Sequence, residues 1–359
     1  MNGRVTSDLL LVGSLPVNSS RAAFCAGAEL FGDITFALPD GETGARAGWV
    51  AFERERLIRP NPAVEVVSES SSPDGIARHV YDTPVFRIRD GVTELHFESW
   101  PRIDEAVASY ALFRDLKANG VISEDLRFQV CLPFPVSALG SFKTDFQREF
   151  PIAERAYEEL VGRELQRLFA AIPPDQLAIQ WDVCNEVLNI EGKISWNDKG
   201  DSEAAWQRFA DPLERLARQV PEEVLLGYHL CYGTLGGWPM YEAEDMGLLV
   251  RMANHAAAHS GRSVDWFHLA GPRVMRSEDD EFFRPLEGLD VGRARIFLGI
   301  VLPIDGVAGL RRRHATASRY LHDFGVAMYC GFGRQPGVNG METMRDHSRV
   351  VREVMRRTA

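Results

Sequence analysis

The 359-residue chain is 45% hydrophobic, with 40 basic against 51 acidic residues and a net charge of −11. That length supports one large core, and the acidic balance, with no basic run beyond 311–313, argues against nucleic acid as a partner. The N-terminal apolar run is too short for a signal-peptide core or a membrane span, and five scattered cysteines fit a reducing compartment. A cytoplasmic protein with no membrane partner is expected.

Short β-branched or apolar runs at 9–12, 34–38, 128–132, 177–181, 224–230, 264–269, 296–302 and 326–329 predict eight strands. Helical periodicity separates most of them, as in "FPIAERAYEELVGRELQRLFAAI" (150–172) and in the segments 203–220 and 247–260. The interval between the second and third strands is too long for one crossover. Within it "HVYDTPVFRIRDGVTELHFESW" (79–100) predicts a β-hairpin turning at Asp90 and Gly91. An insertion over about 45–125, a lid or partner-contact element, is therefore expected within a single domain spanning 1–359.

Alternating strand and helix imply a parallel sheet, and eight units match a closed α/β (β/α)8 TIM barrel as well as a doubly wound open sheet. The positions of the unusual residues favour the barrel. Almost every strand is followed by a polar or glycine-rich cluster, such as "PDGETG" (39–44), "DVCNE" (182–186), "CYGTLGG" (231–237) and "CGFGRQPG" (330–337). Barrel active sites are built from loops at those strand ends.

In "GYHLCYGTLGG" (227–237), His229 and Cys231 lie two apart on a strand and project to one face. Cys330 ends the last strand, and in a closed barrel it meets them at the central mouth. Each cysteine alone reads as a small buried hydrophobe; together with the histidine they suit Zn2+. His268, ending the sixth strand in "DWFHLAGPR", is the expected fourth ligand.

"GYHLCYG", followed about a hundred residues later by "AMYCGFG", resembles the zinc signature of the cobalamin-independent methionine synthase family and its uroporphyrinogen-decarboxylase-like barrel relatives. "LLVGSLP", "LPFPVSAL" and "IQWDVCNE" are similar to further segments of that family, so the resemblance covers most of the chain. It implies zinc held by His229, Cys231 and Cys330, with a thiol substrate held as zinc-bound thiolate and alkylated by an electrophilic carbon. The family places a glutamate ligand where this chain has His268, and an acidic residue and a proline where it has Val183 and Cys184. Folate and homocysteine are therefore not implied as substrates. The epoxyalkane:coenzyme M transferases are also similar, with the same centre serving another thiol.

The remaining candidates sit in the strand-end clusters. Asp40 and Glu42 follow strand two, and Asp182 and Glu186 follow strand four, as acid/base or positioning carboxylates. Ser14, Arg46, Trp181, Asn185, Arg273 and Arg334 are the expected substrate-binding residues, the arginines as carboxylate clamps. The expected function is zinc-dependent transfer of a methyl or other alkyl group between a small-molecule thiol and an alkyl donor. The alternatives are a metal-free uroporphyrinogen decarboxylase-like lyase using Arg46, Asp40 and Asp182 on a polycarboxylate, and a non-catalytic zinc or thiol binder. Oligomeric state, including a homo-oligomer, stays open.

Overall fold

A computed structural model describes residues 5–70, 82–194, 202–234, 238–272, 279–302, 305–334 and 340–355, the side chain of residue 334 excepted. The chain starts with β1 (Leu9–Leu10), α1 (Ser20–Phe31) and β2 (Ala37–Pro39). The insertion contributes the short α2 (Val50–Glu53) and the strands β3 (Val64–Ser68) and β4 (Val85–Ile88). After α3 (Pro101–Ala118) the alternation becomes regular, with β5 (Arg127–Pro133), α4 (Pro135–Leu139), α5 (Phe146–Ala171) and β6 (Leu177–Val183). There follow α6 (Asn185–Ile190), α7 (Ser202–Ala217), β7 (Leu225–Leu230), α8 (Gly247–His259) and β8 (Trp266–Ala270). The last elements are α9 (Asp280–Phe283), β9 (Arg295–Val301), α10 (Gly306–Ala317), β10 (Gly325–Met328) and α11 (Gly340–Met355).

Eight strands form one parallel sheet in the order β1-β10-β9-β8-β7-β6-β5-β2, nearly closed into a barrel with helices around it. The seam between β1 and β2 is bridged at both ends. The amides of Asp8 and Leu9 donate to the Ile34 carbonyl at 3.1 and 3.0 Å, and Leu15 donates to Gly41 at 3.0 Å beside a Ser14–Gly41 bridge. All eight predicted barrel strands are present. The helices follow from amphipathic spacing; α7, for example, buries Ala205, Phe209, Leu213 and Leu216 and exposes charge elsewhere.

The predicted hairpin at Asp90 and Gly91 does not form. Val85–Ile88 pairs antiparallel with β3, which lies upstream, and the segment after Gly91 carries no strand. The alternation identified a half-buried strand correctly but could not name its partner. Nor does the insertion lie loosely over the barrel. Phe86, Ile88 and Trp100 are fully buried in the same hydrophobic cluster as the barrel's outer strand faces, and the Ile88 amide donates to Glu149 on α5 at 3.0 Å.

Inside the barrel, two-residue alternation divides each strand. Leu10, Ala37, Ala178, Leu225, Trp266, Phe297 and Ala327 form a separate apolar layer that fills the interior. The large members fit because glycines face them: a Cβ on Gly227 would fall within the Trp266 indole, and one on Gly325 would come within 2.6 Å of the Phe297 ring. With this plug below, the polar members of the same strands are raised to the C-terminal mouth. Gly227→Ala is expected to destabilise the fold by about 2 kcal/mol, the scale of core overpacking, and Trp266→Leu to recover part of that loss in the double variant. Urea midpoints of the four proteins check this, and additive losses would show that the two sites do not compete for space.

Candidate metal centre and carboxylate floor

The parallel register places Asp182 of β6 opposite His229 of β7, and His229 opposite His268 of β8. All three are interior positions, so one row of polar side chains crosses three adjacent strands just above the apolar plug. The Cys231 amide donates to the Val183 carbonyl at 3.2 Å, carrying the register one step beyond the strands and bringing Cys231 alongside Cys184.

His229, Cys231 and Cys330 each offer one ligand atom, and these three atoms lie within 4.8 Å of one another. Cys330 Sγ is 3.7 Å from His229 Nε2. His229 and Cys231 are buried and Cys330 half-buried. The Cys184 sulfur and burial push the Cys231 thiol well above its ordinary pKa, and Cys231 followed by burial does the same to Cys330. Buried thiols packed against one another stay protonated by themselves. A soft divalent cation offsets the cost of ionising them, and one nitrogen with two sulfurs is a donor set zinc accepts, so the residues fit such a metal.

His268 is not part of this group. Its Nδ1 lies 2.6 Å from His229 Nδ1 and its Nε2 lies 2.8 Å from the Met328 carbonyl oxygen, so both ring nitrogens are already engaged. Burial lowers its pKa to about 4. The expectation of a fourth ligand at this position is corrected: the strand end was identified correctly, but the imidazole points along the row.

The acidic candidates separate into distinct tasks. Asp40 accepts from Arg46 at 2.9 Å and from the Glu42 amide at 3.1 Å, so Arg46 is buried against its own loop instead of lying open as a clamp. Glu42 meets Arg102 at 3.1 Å, and Arg102 also binds Glu53. Asp40, Glu42, Arg46 and Arg102 line a small cleft that reaches Gln129 and Cys131 on β5. Asp182 accepts from Gln180 at 2.9 Å and from the Trp49 indole at 3.1 Å. Burial, with Glu42 adding to it, raises the Asp182 pKa to about 8. The Ser14 hydroxyl is buried without a hydrogen-bond partner among the described residues, and a Cβ on Gly331, next to Cys330, would collide with it.

Glu186 and Trp181 are both taken up by neighbouring residues. Glu186 is fully buried and accepts from the Ser137 amide and hydroxyl at 2.9 and 2.6 Å, which ties α6 to α4; the same hydroxyl accepts from the Asn185 amide at 3.1 Å. Trp181 precedes inward-facing Asp182, so it points outward and packs edge-on against Phe134 between sheet and helices. Two-residue alternation alone excluded it from the interior. Asn185 opens α6 and is half-buried. Arg273 lies outside the described residues, as does the side chain of Arg334, whose backbone closes the 3-10 helix Phe332–Arg334.

Sequence reasoning did not place Arg102 against the acidic residues or Cys184, read as structural, beside Cys231. Nothing local marks Arg102, a helical residue 60 positions from Glu42. Cys184 was legible: the D-x-C of β6 runs beside the H-x-C of β7, and the same alternation that pairs Asp182 with His229 pairs the two cysteines.

No protein-family model and no curated protein matches this chain. Among solved structures it is similar to a B12-independent methionine synthase from Shewanella sp. W3-18-1, determined in complex with selenomethionine. The likeness covers 99% of both chains at 13% identity, with a TM-score of 0.59. At that identity the likeness establishes the fold.

The raised Asp182 pKa has a consequence for stability. With an unfolded pKa near ~3.9 and a folded value of about 8, the folded state binds more protons between those limits, and stability falls as pH rises through that window. Asp182→Asn is expected to flatten that decline. Thermal midpoints of both proteins at pH 5 and pH 8.5 test it, and parallel curves would refute it.

Proposed function

We propose that this chain is a metal-dependent transferase that moves a methyl or other alkyl group between a small-molecule thiol and an alkyl donor. The observation that carries the reading is the trio of His229, Cys231 and Cys330 at the C-terminal mouth of a barrel that resembles a methionine synthase over 99% of its length. His229, Cys231 and Cys330 would hold zinc, which supplies a Lewis acid that keeps a coordinated thiol deprotonated near neutral pH.

The chain's own residues supply the rest of the chemistry. Asp182 stands one strand from His229, and burial together with the nearby Glu42 carboxylate favours its protonated form. Its neutral donors, Gln180 and Trp49, hold both carboxyl oxygens in place. In this reading the Asp182 carboxyl gives its proton to the leaving atom of the donor. The apolar plug closes the barrel beneath the row.

The lyase alternative needs arginines open to a polycarboxylate, and the salt bridge from Arg46 to Asp40 at 2.7 Å disfavours it. Protein purified without a metal-binding tag is expected to hold about one zinc per chain, falling at least tenfold in Cys330→Ser. In cobalt-substituted protein, added thiol is expected to intensify the sulfur-to-cobalt absorption. Asp182→Asn should keep that spectral response and lose about a hundredfold in transfer rate. A wild-type protein that takes up no zinc on reconstitution would remove the proposal.

A further inference from the structure

The second imidazole of the row has a role that metal binding does not explain. The Met328 carbonyl oxygen only accepts hydrogen bonds, so the His268 nitrogen 2.8 Å from it, Nε2, carries that ring's proton. A neutral ring protonated at Nε2 presents a bare Nδ1, and this atom lies 2.6 Å from His229 Nδ1. Two bare nitrogens at that separation would repel, so His229 Nδ1 is the donor. The lone pair of His229 then sits on Nε2, the atom that faces Cys330 Sγ at 3.7 Å.

We propose that His268 is a positioning residue for the metal centre: through the relay Met328 carbonyl–His268–His229 it holds His229 in the Nδ1–H tautomer and presents Nε2 to the metal. The inference rests on the metal-centre reading above and assigns His268 a role outside the ligand set. Several features hold the relay in place. His268 is fully buried, its ring centroid is 4.7 Å from that of His229, and a Cβ on Gly299 would come within 3.0 Å of its Nε2, so glycine there leaves the ring its space.

A ligating histidine commonly gives its second N–H to a carboxylate, carbonyl or water. An imidazole in that place orients His229 without bringing further negative charge to a site with two thiols. The relay also ties β7, which carries His229, to β10, which leads into Cys330, so two ligands are positioned by one chain of hydrogen bonds.

The test uses the full chain loaded with zinc alone. Glutamine can reproduce both contacts, its carbonyl accepting from His229 and its amide donating to Met328, whereas leucine can make neither. His268→Gln is therefore expected to keep zinc affinity within about threefold, and His268→Leu to weaken it by about 10–100-fold. Long-range proton–nitrogen spectra of wild type and His268→Gln should show His229 protonated at Nδ1, a signature that holds even if the leucine variant fails to fold. X-ray absorption at the zinc edge should show one histidine nitrogen. Two histidine nitrogens, metal on His229 Nδ1, or a glutamine variant as weak as the leucine one would each overturn the relay while leaving the metal centre standing. A wild type that binds no zinc would instead remove the metal-centre reading and the relay with it.

Discussion

The constraint on which the site depends is the parallel register of β6, β7 and β8. Because adjacent strands pair Asp182 with His229 and His229 with His268, one interior row carries a carboxyl group and two imidazoles side by side. A slip of one residue in any of these strands would turn its member of the row outward and break the arrangement. The Trp266 plug beneath fixes the height of the row, since only a glycine at position 227 lets the indole cross the barrel. Packing at the bottom of the barrel thereby helps set the polar row at its mouth.

Charge balance sets the second layer of the site. Arg46 pairs with Asp40, and Arg102 bridges Glu42 and Glu53, so the insertion brings buried cations to the carboxylate floor. Asp182 receives hydrogen bonds from neutral donors, and burial next to Glu42 therefore favours its protonated form. A group that holds a proton near neutral pH, one strand from a cluster of soft donors, is suited to the proton transfer proposed for it. Trp49 and Arg102 come from the insertion, which makes that segment part of the site's support.

Much of this was legible in advance. The eight strands were visible as apolar runs, and H-x-C in a strand followed by a glycine-flanked cysteine marked the trio, because side-chain alternation is a local property. The same rule misled where it was not applied: it excludes Trp181 from the interior and admits Cys184. Glu186 looked like a mouth carboxylate from its place after a strand, yet the turn into α6 aims it at Ser137. The insertion's hairpin failed because a strand's pattern describes its faces and says nothing of which edge it pairs with.

The sequence by itself determined the barrel strands and the chemical types at their ends, since both depend on neighbours one to four residues away. The tertiary structure decided which of those groups meet and in which orientation. His268 sits at a ligand's place in the sequence, but the Met328 carbonyl, 60 residues on, holds one nitrogen and His229 the other. Arg46 reads as an open clamp until the fold of its loop brings Asp40 against it. Hydrogen-bond direction and charge pairing are settled only when distant strands close into the barrel, because the partners that saturate a donor or acceptor are set by that closure.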